Sequence, residues 1–316
     1  MGGSVLITGG AGFIGSHIAE AYLAAGWSVT CLDDLSRGKQ SQIPAAARFV
    51  KADVRSPEAF DVVASGGFDV VIHEAAQIDV RVSVHQPALD ASINLVGFAN
   101  ILAGVAAGTV KRVVFASSGG VVYGDPAVLP TPEPTANLPI SPYGVSKLAG
   151  EHYLRVLGTL HGFEGVALRY SNVYGPRQDP ASEAGVVSIF VSRLLAGQPL
   201  TVFGDGTQTR DYVYVKDVAH ANLLAGSVAV SRGDRLDVPA FNIGTGGETS
   251  VNDLAHLVGR ALGRTPVIEY AAPRQGELVR SCLDISKAKR ELGWTPQATF
   301  DVGMKSLAGW FEGTVS

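Results

Sequence analysis

Through roughly its first half the chain alternates short β-branched segments with longer helical ones, and no other feature restricts its fold as much. Residues 4–8, 28–32, 48–52, 70–73, 112–116 and 165–169 read as strands; 14–25, 57–64, 87–107 and 142–161 read as helices. Such alternation demands right-handed crossovers, hence a doubly wound parallel sheet with helices on both faces. Beyond about residue 175, prolines at 176, 180, 199, 239, 266, 273 and 296 cut the pattern into shorter pieces, with helices expected over 186–196, 215–227, 251–262 and 286–292. Residues 1–175 are therefore expected to form a nucleotide-binding domain and 176–316 a smaller α/β substrate domain, with 211–225 and 240–244 returning to the first.

The chain has 316 residues, 46% hydrophobic and 17% charged, which suits a large core and excludes extended disorder. Its 25 basic and 29 acidic residues form no basic cluster, so nucleic acid is not an expected partner. Cys31 and Cys282 are the only cysteines. They fit a reducing, cytoplasmic setting better than a disulfide framework. No run of 18 apolar residues predicts a membrane anchor. His73, His85, His152, His161, His220 and His256 are too scattered to predict a metal site.

Glycine is abundant, at 38 residues, and its placement carries the first functional signal. Gly9, Gly12 and Gly15 stand in GxxGxxG spacing between the first strand and the first helix. Gly9 would permit a tight turn, Gly12 the approach of a pyrophosphate to the backbone, and Gly15 close packing of helix on strand. The helix N-terminus would then meet the phosphates. The next strand ends in Asp33 and Asp34, about 20 residues further on, where a carboxylate accepts from both ribose hydroxyls and repels a 2′-phosphate. NAD is thereby preferred to NADP, with Arg37 as counter-evidence. Asp53 can reach the adenine amino group or cap the helix that begins at Pro57.

Tyr143 and Lys147, four residues apart at a helix start, share one face. A phenol titrates near ~10 and is a poor base at neutral pH. Lys147 and an oxidised nicotinamide would together favour the phenolate. At the end of the fifth strand Ser118, or alternatively Ser117, can hydrogen-bond the same substrate oxygen or serve only as a turn or cap hydroxyl.

TGGAGFIGSH at 8–17, the Ser117-Ser118 loop leading to Tyr123-Gly124, YGVSK at 143–147 and LRYSNVYGPRQ at 168–178 resemble the extended short-chain dehydrogenase/reductase family, its NAD-dependent epimerases and dehydratases, and above all its UDP-glucose 4-epimerases of galactose metabolism. The resemblance runs to Trp294 and implies a Rossmann-type NAD domain with a UDP-sugar-binding second domain. It implies that Tyr143 removes the O4 proton while C4 of the hexose passes hydride to NAD. The resulting 4-keto sugar turns over on its UDP tether and is reduced on the other face. It further implies NAD contacts from Phe13, Ile14, Val54, Ala75, Gln77, Asn94, Lys147 and Tyr170, and UDP-sugar contacts from Asn172, Phe203, Arg210, Arg274, Glu277 and Ser281.

Ser171 departs from the Phe of many epimerases. Ser281 falls where a small residue admits a 2-N-acetyl group, so UDP-GlcNAc and UDP-GalNAc are expected substrates too; a slip of one residue would put Arg280 or Cys282 there. Gly119-Gly120 replace the Asp-Glu pair of the dehydratases. Uronate epimerisation or decarboxylation remains an alternative, with Arg81, Arg177 or Arg280 meeting the carboxylate, and a non-catalytic NAD sensor a remoter one. The family also implies a homodimer through helices 87–107 and 142–161.

Overall fold

The computed structural model describes residues 2–180, 185–230, 239–273 and 278–315, without the side chains of 314 and 315. In chain order the first half comprises β1 (Ser4–Thr8), α1 (Phe13–Ala24), β2 (Ser28–Asp33), β3 (Arg48–Lys51), α2 (Pro57–Ser65), β4 (Val70–His73), α3 (Val80–His85), α4 (Pro87–Ala91), a π turn (Ser92–Gly97), α5 (Phe98–Ala107), β5 (Arg112–Ser118), α6 (Gly119–Val122), α7 (Pro142–His161) and β6 (Glu164–Tyr170). There follow β7 (Asn172–Tyr174), α8 (Val186–Leu195), β8 (Leu200–Phe203), β9 (Thr209–Arg210), β10 (Tyr212–Tyr214), α9 (Val215–Ser227), β11 (Ala240–Ile243), β12 (Thr249–Ser250), α10 (Val251–Ala261), β13 (Ile268–Ala271), a second π turn (Ala288–Leu292) and α11 (Phe300–Val315).

Strand side chains alternate between faces. Val5 and Ile7 of β1 therefore enter the core beneath α1 and α9, while Leu6 enters the one beneath α2, α5 and α7. Both faces being covered, the strands are apolar almost throughout. They form one parallel sheet of seven in the order β11-β6-β5-β4-β1-β2-β3. β11 comes from late in the chain to pair with β6, and α9 packs on α1. A third core, under α8, α10 and α11, includes Phe190, Leu254, Met304 and Leu307.

Helices α3 and α11 were not expected from the sequence; the helix expected over 87–107 is present and continuous, with a π turn inside it that carries the buried Asn94. That stretch has the length and hydropathy of a membrane span. Here it packs on α2 and α7 and carries the buried Asp90 and Asn94. The cap ahead of Pro57 is Ser56, whose hydroxyl accepts from the Ala59 N–H, so Asp53 does not fill that role.

Candidate active site

The glycine loop is built for close approach. Gly9 adopts φ +69°, and a Cβ on Gly15 would fall 2.2 Å from the Gly9 carbonyl oxygen. Gly12 precedes helix α1 and no side chain caps it, which leaves the N–H groups of its first turn, including Phe13 and Ile14, as candidate anion donors. Asp33 supports the loop: its carboxylate accepts from the Ala11 N–H at 3.0 Å and the Leu35 N–H at 2.8 Å, and burial raises its pKa. Asp34 turns outward to Ser36, and Arg37 is exposed. These features fit a dinucleotide whose pyrophosphate lies on α1 and whose ribose meets Asp33.

Asp53 is otherwise engaged. Arg55, two residues on, grips both carboxylate oxygens, which holds Asp53 below the usual carboxylate range and leaves it little capacity for an adenine amino group. Val54 is buried beside Gly97. Ala75 abuts Gly9, and its N–H donates to Thr8 Oγ1. Gln77 and Asn94 exchange hydrogen bonds: Asn94 Oδ1 accepts from the Gln77 N–H, and Asn94 Nδ2 donates to Gln77 O and to Asp90. Both Asn94 donors are thereby used, so its side chain shapes the 74–79 loop beside the expected cofactor path.

Lys147 is 4% exposed and its ammonium donates to the Ala116 carbonyl at 2.8 Å, which fixes α7 against the end of β5. Its Nζ lies 5.8 Å from the centre of the Tyr143 ring. Burial lowers the Lys147 pKa. Burial, with Asp90 and Glu74 adding to it, pushes the Tyr143 phenol well above the ordinary range. Against this burial, the two cations expected to favour the phenolate are Lys147 and an oxidised nicotinamide, acting together.

The paired serines separate in role. Ser117 is buried and donates to Glu151 Oε1 at 2.5 Å, whereas Ser118 stands just before α6 without capping it and its hydroxyl has no hydrogen-bond partner among the described residues. Ser118 is therefore the hydroxyl available to a ligand. Behind it, Arg169 Nε and Nη2 reach the two oxygens of Glu151 at 2.9 and 2.7 Å, and Arg169 Nη1 donates to the Tyr123 hydroxyl. This buried pair ties β6 to α7, and Asp90 does the same for α4, accepting from Ser146, Gln77 and Asn94. Glu74, Asp90, Glu151 and Arg169 were missed in the sequence because no local spacing marks a contact made between distant elements.

Tyr170 lies opposite Ser118 in the β5–β6 register, but its hydroxyl donates to Glu74 and accepts from Asn222, so only its ring is left for the cofactor. Asn172 begins β7, which pairs with β10, and the buried Ser171 hydroxyl has no partner among the described residues. Arg210 and Ser281 come together through Thr209, whose carbonyl accepts from Arg210 Nη1 at 2.7 Å and from the Ser281 N–H at 3.2 Å. Phe203 ends β8. Ser281 is 8% exposed, while Arg280 turns out to Glu248. Arg274 and Glu277 lie outside the described residues.

Of the arginines considered for a uronate, Arg177 is taken by Ser16 and Glu20, Arg280 by Glu248, and Arg81 lies by Asp79. A cavity of about 310 Å³ lined by Tyr174, Tyr212, Tyr214 and Phe300 includes none of the candidate residues. Among the described residues no cluster of ligands could hold a metal.

Residues 5–244 match the model of the NAD dependent epimerase/dehydratase family. The UDP-glucose 4-epimerase of Mycolicibacterium smegmatis is 42% identical over 312 residues, 97% of this chain and 98% of that protein. The crystal structure of UDP-glucose 4-epimerase from Thermotoga maritima with UDP-glucose superposes with TM-score 0.92 at 42% identity, over 99% of this chain and 100% of that one. The UDP-glucose 4-epimerase of Thermus thermophilus in complex with NAD gives TM-score 0.90 at 42% identity, over 98% of this chain and 99% of that one. With the family model spanning most of the sheet and similarity running the length of the chain, the protein belongs to the NAD dependent epimerase/dehydratase family.

Proposed function

We propose that this chain interconverts UDP-glucose and UDP-galactose, and their 2-N-acetyl counterparts, by NAD-dependent epimerisation at C4. The observation that carries the reading is the gathering of Tyr143, Lys147 and an uncommitted Ser118 at the C-terminal edge of the sheet, one strand from the glycine loop. Bound NAD supplies a reversible hydride acceptor there. Ser118 donates to the sugar O4, and Tyr143, once ionised, takes the O4 proton and later returns it. Lys147 stays fixed by Ala116 and keeps the developing phenolate company. Asn172, Phe203 and Arg210, with Arg274 and Glu277, hold the UDP so that the hexose can turn over without leaving. Ser281, small and buried, leaves space for an acetamido group.

Residues 1–175 with 211–225 and 240–244 then serve the cofactor, and the rest serves the UDP-sugar. Val84, Leu89, Val96, Val145, Tyr153, Val156 and Leu160 are exposed on α3, α4, the π turn and α7. An apolar face of this kind supports a homodimer formed through those helices. Two buried free cysteines suit the cytoplasm.

The test is to incubate the purified protein, without added cofactor, with UDP-glucose, UDP-GlcNAc and UDP-glucuronate separately and to follow the C4 epimers. Turnover of the first two, with Ser281→Tyr losing the second, is expected. Turnover of UDP-glucuronate alone would refute the reading, and an N-acetyl activity absent from the native chain would refute the role of Ser281.

A further inference from the structure

Glu74 follows β4 directly, at the edge of the sheet where parallel α/β folds receive ligands. Its neighbours define a path: β1 on one side carries the glycine loop, β5 on the other carries Ser118, and Tyr143 and Lys147 lie beyond. A dinucleotide with its pyrophosphate on α1 must cross the end of β4 to bring its nicotinamide to Tyr143. Glu74 is locked at that crossing. Its N–H donates to the Thr8 carbonyl at 3.1 Å, and its Oε1 accepts from the Tyr170 hydroxyl at 2.7 Å. Tyr170 is in turn held by Asn222, whose carbonyl accepts from Tyr22 on α1. The other carboxylate oxygen accepts no hydrogen bond, and no ion pair joins Glu74 to Lys147, among the described residues.

We propose that Glu74 is the countercharge of the oxidised nicotinamide, placed to favour the cationic ring over its neutral reduced form. This rests on the reading of the crevice as an NAD site. With the ring oxidised and Tyr143 ionised, the ring and Lys147 face the phenolate and Glu74, with Asp90 a further buried anion beside them. Burial pushes Glu74 up to about 7, while the Tyr170 hydrogen bond and the Lys147 ammonium pull it back toward its charged form, as a cationic ring would too. When proton and hydride have moved, ring and phenol are both neutral and Glu74 is left with Lys147. Asp90, the remaining anion near Tyr143, is committed to Ser146, Gln77 and Asn94, and cannot take this part. His73, pushed down to about 3 by burial, is neutral and adds no charge.

The experiment equilibrates the holoenzyme with equimolar NAD and NADH, releases the bound nucleotide with denaturant and measures the ratio of the two chromatographically. Glu74→Gln keeps an acceptor for Tyr170 and removes only the charge. It is expected to shift the bound ratio roughly tenfold toward the reduced form, while Glu74→Asp stays within about threefold of the native chain. Should Glu74→Gln not accumulate folded, Glu74→Leu makes the same comparison with Glu74→Asp. An unchanged ratio in the neutral variant, or equal shifts in the neutral and acidic variants, overturns the inference; a native chain that binds neither nucleotide overturns the cofactor reading itself.

Discussion

Glu151→Gln should lower both stability and turnover, because it breaks the buried pair behind the active site. Arg169 and Glu151 are 4% and 5% exposed, so their attraction is little screened by solvent, and Arg169 has no other carboxylate within reach among the described residues. Removing one charge from such a pair strands the other and costs about 3–5 kcal/mol. Taking ~2.1 cal/mol/K of unfolding entropy per residue, a chain of 316 residues should lose roughly 5–8 °C in Tm. The same change loosens Ser117, hence Ser118, so kcat should fall as well. The assay is thermal unfolding of NAD-loaded protein for Glu151→Gln, Arg169→Met and a double variant, Glu151→Leu with Arg169→Met. The double variant should be less damaged than the two single losses added together, since no buried charge remains unpaired. Strict additivity would show that the two residues contribute by packing alone and would refute the argument.

Tyr143→Phe should lower kcat by about a thousandfold or more while leaving UDP affinity nearly unchanged by calorimetry. Ser118→Ala should cost roughly 10–100-fold in kcat with little change in Tm, and Ser117→Ala the reverse, a stability loss with a smaller kinetic effect. The His73 ring stays neutral down to about 3 in the folded chain, whereas an unfolded histidine takes a proton near ~6.5. The unfolded state thus binds more protons between these values, so stability should fall as pH drops below ~6.5, and His73→Phe should flatten that dependence in denaturant titrations at several pH values. Leu160→Glu with Val156→Glu should convert a dimer to monomers by sedimentation; an unchanged mass would place the interface elsewhere.

The parallel sheet was legible because hydrophobic periodicity is a local property, and so was the glycine loop, whose spacing is set by one turn between strand and helix. Tyr143 and Lys147 share a face for the same reason. What escaped was set by contacts between elements. The Arg55 guanidinium on Asp53 is not announced by the position of Asp53 at the end of β3, and a π turn no propensity announces directs Asn94 to Gln77 and Asp90. Ser117 and Ser118 look alike in one dimension, and only the fold sets one against Glu151 from α7.

Because β11 is made long after β6 yet lies beside it, the sheet's edge stays open on the ribosome until residues 240–243 have emerged. A fragment ending at about residue 175 would therefore expose β6 as an unpaired, aggregation-prone border. The sheet cannot be exchanged as a module ending near residue 175, since the chain beyond must pass back to complete its edge.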